Sequence, residues 1–67
     1  MRHIITWGVG EMEEGRKDFP SFVAAREYVK EIGEPTPEEI ATLFSEGQIV
    51  YPTTFGEGDW IRYELRA

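Results

Sequence analysis

TPEEIATLFSEG, residues 36–47, is the stretch with the clearest local structure in this 67-residue chain. Thr36 is suited to cap a helix that begins at Pro37, and Glu39 is placed to close a capping box onto the backbone of Thr36. Gly47 is suited to end that helix. Its apolar positions recur at helical spacing: Ile40, Leu43 and Phe44. A helix of about ten residues is not stable alone in water, so it must pack against the rest of the chain.

A second helix is predicted immediately upstream, over residues 22–32. Ser21 is a good N-cap, and Gly33 occupies the position of the glycine that commonly follows a helix. The inward positions recur at steps of three and four: Phe22, Ala25, Val29 and Ile32. Two helices therefore occupy the middle of the chain, between segments of a different pattern.

The segment before the helices alternates with period two, which is typical of a strand. One face carries His3, Ile5, Trp7 and Val9, and the other carries Ile4, Thr6 and Gly8. Gly8 and Gly10 weaken this strand or mark a bulge. We expect residues 13–15 to form a three-residue turn, with Gly15 at positive φ, followed by a short strand over residues 16–19. This hairpin would set Phe19 opposite Val9.

The last twenty residues indicate a second hairpin, in which residues 56–58 separate strands over 49–55 and 59–65. A three-residue loop would pair Thr54 with Trp60 and Tyr51 with Tyr63, and a two- or four-residue loop would move Phe55 opposite Trp60. The register stays open between these alternatives. Pro52 cannot donate to a ladder, so its strand lies at an edge or is bulged there. Trp60 falls on the outward face.

Together these segments predict one α+β domain over residues 1–67, in the order β-β-α-α-β-β. We expect a small antiparallel sheet of three or four strands with two helices on one face. The predicted core comprises the inward positions of all these elements: Ile5, Trp7, Val9, Phe19, Phe22, Ala25, Val29, Ile32, Ile40, Leu43, Phe44, Ile49, Tyr51, Ile61, Tyr63 and Leu65.

The net charge of −6 is unevenly distributed along the chain. Residues 1–30 hold five acids and five bases, which cancel, whereas residues 31–67 hold eight acids and two bases, so that 8 − 2 accounts for the whole excess. No basic residue lies between Lys30 and Arg62. Such a stretch is either a solvated face that keeps the protein soluble or a recognition surface whose field steers a basic partner.

Several kinds of chemistry find no support in the composition. The chain has no cysteine and one histidine, His3, which we expect at the surface or at a strand edge. We predict no catalytic residue, no cofactor-binding residue, no cofactor and no metal site, and hence no enzyme activity. No apolar run approaches the roughly 20 residues of a membrane span and no signal-peptide pattern follows Met1, so a cytoplasmic location is expected.

These observations favour a small acidic, non-enzymatic protein-binding module whose partner has a basic surface. By analogy of composition, it would act as an inhibitor of the kind found in phages and mobile elements, imitating the phosphates of a nucleic acid. The predicted partner-binding residues are the acids of the base-free stretch and the outward tryptophan: Glu34, Glu38, Glu39, Glu46, Glu57, Asp59 and Trp60.

Two alternatives remain. The chain could be a structural subunit that forms a homodimer through its outer strand face or a free sheet edge, rather than a monomer. It could instead bind single-stranded nucleic acid by stacking bases on the aromatic residues of the sheet. Direct nucleic-acid binding is the less favoured of the two, because a net charge of −6 opposes a polyanion.

Overall fold

A computed structural model of the chain describes residues 1–32, 35–50 and 58–67. The elements in these ranges are β1 Arg2–Val9, β2 Met12–Phe19, α1 Phe22–Glu31, α2 Pro37–Glu46, β3 Gln48–Val50 and β4 Asp59–Arg66. The strands form one antiparallel sheet in the order β2-β1-β4-β3. Both helices pack on the same face of this sheet, so the predicted α+β architecture is confirmed. No helix in the described ranges is long and apolar enough to cross a membrane.

The two helices begin where their caps predict. The Ser21 hydroxyl oxygen accepts a hydrogen bond from the backbone N–H of Ala24 at 3.2 Å. At α2, the Glu39 N–H donates to the Thr36 hydroxyl at 3.1 Å, and the Thr36 N–H donates to the Glu39 carboxylate at 2.8 Å. The capping box is therefore complete, and α2 ends at Gly47, whose N–H donates to the Leu43 carbonyl at 2.8 Å.

The core lies between the helices and the central strands β1 and β4. Its fully or almost fully buried members are Ile5, Ala25, Val29, Leu43, Ile49 and Ile61. Half-buried aromatic and aliphatic side chains surround them: Trp7, Phe19, Tyr28, Ile32, Ile40, Phe44 and Tyr63. Burying each large aliphatic side chain contributes about 1.5–3 kcal/mol, so these few contacts supply most of the favourable energy of folding.

Three residues predicted to be in the core are exposed. Val9 ends β1, Phe22 begins α1 and Leu65 lies near the end of β4, and they expose 44%, 42% and 47% of their surface. Residues at the ends of a helix or strand continue its apolar pattern, but they extend past the packed layer of neighbouring elements and so remain exposed. Conversely, Ile4 is only 1% exposed although it points away from the helices.

The first hairpin differs from the prediction. Val9 pairs with Met12, so the turn lies at residues 10–11, with Gly10 at φ 58°, and β2 begins at Met12. The turn predicted at residues 13–15 and the short strand over 16–19 are therefore wrong. Gly15 lies inside β2 opposite Trp7 and is not at positive φ. A bulge is present between Trp7 and Gly8, as one of the two interpretations of the glycines anticipated.

The pairings within the sheet also correct both predicted registers. Phe19 lies opposite His3 instead of Val9. Trp60 pairs with Val50 instead of Thr54, and the next pair is Ile49 with Ile61. The four-residue shift keeps the predicted faces, because it is an even number of positions. The predictions for Tyr51, Pro52, Thr54 and Phe55 lie outside the described residues.

His3 is not at the surface or at a strand edge, because β1 is a central strand and the side chain is half-buried on the helix face. Its Nδ1 lies 2.8 Å from the Tyr63 hydroxyl, and the two rings stack with centroids 6.0 Å apart. Phe22 packs edge-on against the imidazole, with centroids 6.4 Å apart. The histidine therefore closes one end of the aromatic layer.

Candidate functional site

The face of the sheet that points away from the helices, called here the open face, carries a network of charges. The strand pairings of β1, β2 and β4 place four arginines and three acids on it: Arg2, Arg16, Arg62, Arg66, Glu13, Asp18 and Glu64. Asp18 forms ion pairs with Arg2 at 3.4 Å and with Arg16 at 3.8 Å, and Glu64 accepts a hydrogen bond from Arg66 at 2.8 Å. The two ion-paired acids thus balance half of the four positive charges.

The same network buries Ile4, whose direct neighbours across the two ladders are Asp18 and Glu64. Long charged side chains cover apolar surface with their stems while their heads stay in water. The hydrogen bond from Arg66 is the largest influence and holds the pKa of Glu64 below its ordinary value against the opposing effect of desolvation, with further help from the charges of Arg66, Arg16 and Arg2.

Trp60 lies on the open face, as predicted, but its ring is committed to the fold. The Trp60 Nε1–H donates to the Gly10 carbonyl at 2.8 Å. The ring rests on Gly8, directly opposite in β1, where a side chain would meet Trp60 Cζ2 at 2.6 Å. The Arg62 guanidinium sits over the ring, 4.8 Å from its centre.

The second tryptophan repeats this arrangement on the helix face. Trp7 lies opposite Gly15 in β2, and a side chain at Gly15 would meet only atoms of the Trp7 ring among its nearest neighbours. The Trp7 ring also packs against the Tyr28 ring of α1, and the two ring centroids are 5.6 Å apart. Gly15 is therefore needed for close approach of a cross-strand indole, and Gly8 for close approach of both the Met12 backbone oxygen and an indole.

Four carboxylates converge on one end of the sheet, where two depressions adjoin. Glu38 and Glu39, in the first turn of α2, border one of them beside β3. Glu11 and Glu13, in and after the β1–β2 turn, border the other beside Trp60 and Arg62. Both depressions are also lined by two β3 residues, Gln48 and Val50.

We call these four acids, together with Gln48 and Val50, the acidic edge surface. Val50 is 45% exposed and lines both depressions, so an apolar side chain lies between the two pairs of acids. Among the described residues, Arg62 is the single cation that lines either depression, and its guanidinium is stacked on Trp60. Within the described residues, no group of three or more acidic, histidine or cysteine side chains is arranged to hold a metal ion. The carboxylates are spread around Val50 instead of facing a common point.

The predicted partner-binding residues are only partly brought together. Glu38, Glu39 and Trp60 border the two adjoining depressions. Asp59 lies at the same end of the sheet, opposite Val9, but on the helix face, because successive strand residues alternate. Glu46 is the last residue of α2, about 12 Å along the helix from Glu38. Glu34 and Glu57 lie outside the described residues.

Sequence analysis missed Glu11 and Glu13. The first thirty residues are neutral in sum, which hid the fact that the fold separates their charges. The acids at the β1–β2 turn join those of α2, whereas Arg2 and Arg16 join Arg62 and Arg66 on the open face. A correct position for the turn would have been the one signal able to reveal this.

Comparison with known protein families, curated proteins and solved structures finds no match to this chain. The candidate site is therefore defined by its own geometry and charge.

Proposed function

We propose that this chain is a small non-enzymatic protein-binding module that docks on a basic surface of its partner through the acidic edge surface. The expected partner is a nucleic-acid-binding protein, whose lysines and arginines would bind carboxylates in place of phosphates. Occupying such a surface would make the chain an inhibitor of nucleic-acid binding.

One observation carries the proposal: carboxylates from two distant segments of the chain line two depressions that share the exposed Val50. An apolar centre within a charged rim is the usual anatomy of a protein interface, in which the centre supplies affinity and the rim supplies orientation. The net charge of −6 adds a long-range field that would speed the encounter with a cationic surface.

Single-stranded nucleic acid is a less suitable ligand for the described surfaces. Stacking requires an aromatic ring with a free face. Trp60, the one aromatic side chain on the open face in the described strands, rests on Gly8 and is covered by Arg62. Trp7 and Tyr63 lie on the helix face, against Tyr28 and Phe44. The open-face arginines other than Arg62 are engaged with acids.

The test uses isothermal titration with synthetic poly-arginine and two variants of equal charge. E11Q/E38Q removes two carboxylates from the acidic edge surface, leaving the helix cap at Glu39 and the strand residue Glu13 intact. E31Q/E46Q removes two carboxylates from the ends of α1 and α2. Because a rim ion pair contributes about 0.5–1 kcal/mol, we expect E11Q/E38Q to weaken binding about five-fold or more and E31Q/E46Q to leave it nearly unchanged.

Equal weakening by both variants would show that poly-arginine responds only to net charge, and the acidic edge surface would lose its special role. A larger effect of E31Q/E46Q would place the docking surface around Glu46 instead. The same pair of variants, used as baits in parallel with the unchanged chain, then identifies the natural partner as the protein that E31Q/E46Q retains and E11Q/E38Q loses.

A further inference from the structure

The strand β2 forms one border of the sheet. Within the described ranges, its inner side pairs with β1 and no strand pairs with its outer side. The strand is eight residues long, Met12–Phe19. A border of this length presents a row of backbone N–H and C=O groups that can pair with another chain.

Charged residues on such a border normally prevent pairing, because strands of like charge repel each other. The order of charges in β2 is unusual in this respect. Glu13-Glu14 precedes Gly15, and Arg16-Lys17 follows it, so the sequence is acid-acid-glycine-base-base. A two-fold rotation about Gly15 therefore brings the acids of the strand to the positions of its bases, and the bases to the positions of its acids.

From this order we infer that two copies of the chain pair through β2 in antiparallel fashion, with a two-fold axis at Gly15. With the bulge of β2 counted as one position, the Glu13-Glu14 pair of each copy then lies opposite Arg16 of the other copy and diagonal to Lys17. Opposite charges across an antiparallel ladder stabilise it, whereas a register displaced from Gly15 brings like charges together. The two sheets become one continuous sheet of eight strands, and each copy uses the same patch, as a closed dimer requires.

The bulge opposite Gly8 makes the faces compatible. Residues 13 and 16 would point to opposite faces of a regular strand, but Glu13 pairs with Gly8 and Arg16 with Thr6, both of which lie on the open face. Glu13 of one copy and Arg16 of the other therefore share that face. Lys17 lies on the helix face, 5.1 Å from the centre of the Tyr28 ring.

Met12 gives this arrangement an apolar contact. It pairs with Val9 at the end of the hairpin and is 72% exposed. With Gly15 on the axis and the bulge counted as one position, Met12 of one copy lies beside Lys17 of the other on the helix face. The stem of that lysine can cover the methionine side chain while its ammonium group stays in water.

The expected dimer is weak. One pair of strands buries less area than the roughly 1,200–2,000 Å² of a typical stable interface, so we expect a dissociation constant on the order of 100 µM at low ionic strength. Added salt should weaken it further, because the complementary charges are exposed.

Sedimentation equilibrium over a concentration series tests the inference without any other protein, so its result is independent of the poly-arginine titration. The unchanged chain should dimerise at low ionic strength. E13K/E14K and R16E/K17E should each dimerise at least ten-fold more weakly, because each brings like charges together. An equimolar mixture of these two should form a mixed dimer. The fourfold exchange E13K/E14K/R16E/K17E should dimerise again, because it restores the complementary order with reversed signs.

The matched control is E27K/E31K, which makes the same change in net charge as E13K/E14K on exposed positions of α1 and should leave dimerisation unchanged. Far-UV circular dichroism checks the fold of each variant, and the fourfold exchange carries the test should a variant of one sign fail to fold. A monomeric unchanged chain at millimolar concentration overturns the inference. The inference is also overturned if the mixture of E13K/E14K and R16E/K17E stays monomeric. Concentration-dependent NMR shifts confined to residues outside β2 would overturn it as well.

Discussion

Replacing Gly15 with alanine should drive a methyl group into the indole ring of Trp7. The three heavy atoms nearest to a Cβ at this position all belong to that ring, with Cε2 at 2.5 Å. Trp7 cannot move aside freely, since it packs against the buried core and against Tyr28. The substitution therefore displaces the Trp7 ring, which occupies the space that a side chain at position 15 would otherwise fill.

Overpacking of this kind costs about 1–3 kcal/mol. Alanine recovers roughly 0.5–1 kcal/mol of this, because glycine is unfavourable within a strand. The net loss should be about 1–2 kcal/mol. A chain of this size has a total stability of roughly 3–10 kcal/mol, so the change is a large fraction of it. Urea denaturation followed by far-UV circular dichroism measures the difference.

A double-mutant cycle identifies the cause. Trp7→Leu removes the ring that the new methyl group would meet, so Gly15→Ala should cost about 1 kcal/mol less in the Trp7→Leu background. The matched cycle combines Gly8→Ala with Trp60→Leu. There the nearest atom to a new Cβ is the backbone carbonyl oxygen of Met12, which Trp60→Leu leaves in place.

We therefore expect strong coupling between positions 7 and 15 and weak coupling between positions 8 and 60. Additivity within about 0.5 kcal/mol at positions 7 and 15 would refute the proposed contact, as would a Gly15→Ala variant as stable as the unchanged chain.

Three further changes test other parts of the fold. Thr36→Ala should destabilise the protein by about 1 kcal/mol, because it breaks the capping box of α2, and thermal denaturation should show a lower midpoint. Ile4→Ala should cost about 2–4 kcal/mol in urea denaturation, although the residue points away from the helices, because it is almost fully buried. Glu64→Gln should destabilise the chain at neutral pH and not in strong acid. The pKa of Glu64 lies below its ordinary value of 4.5 in the folded state, so its stabilising contribution is complete above that value and is lost as the pH falls through the lowered pKa.

Each of these changes has a control. Ser45→Ala removes a hydroxyl that donates to the Thr42 carbonyl at the other end of α2, and a loss equal to that of Thr36→Ala would argue against a specific capping effect. Ile4→Thr keeps the branching at Cβ but replaces the ethyl group with a hydroxyl, and it should also be costly if the site is truly buried. A difference between the unchanged chain and Glu64→Gln that persists unaltered into strong acid would contradict the assigned titration.

The elements that sequence analysis predicted best are those specified by neighbouring residues. The start of α2 depends on Thr36 and Glu39, which are three positions apart and bond to each other's backbone. A local interaction of this kind is visible in the sequence. The apolar stripes of both helices were equally informative, because their period of 3.6 residues is a property of the helix itself.

The first hairpin was mispredicted because glycine has two uses in a sheet. Gly15 was assigned to a turn, where its conformational freedom would matter, but it serves to admit the ring of Trp7 from the neighbouring strand. That use depends on a tertiary contact and leaves no mark in the local pattern. The misplaced turn then removed the acids at Glu11 and Glu13 from the candidate site.

The burial of Ile4 was unpredictable for a related reason. Strand alternation assigned it correctly to the face away from the helices, and such a face is ordinarily open to water. What covers Ile4 is a set of charged side chains from both neighbouring strands, and the ion pair between Arg2 and Asp18 joins residues that are distant in sequence. Periodicity predicted which face of the sheet each strand residue points to, but it did not predict which side chains cover that face.

The central position of β1 and β4 has a consequence for the route by which the chain folds. These strands join the beginning and the end of the described sequence, from the Arg2–Arg66 pair to the Val9–Asp59 pair. Contacts between such distant segments must overcome the entropy of closing a long loop, which slows folding. During synthesis, β1 would leave the ribosome long before its partner and would have only β2 to pair with. The helix caps can form early, but the core can close only after the last strand has been made.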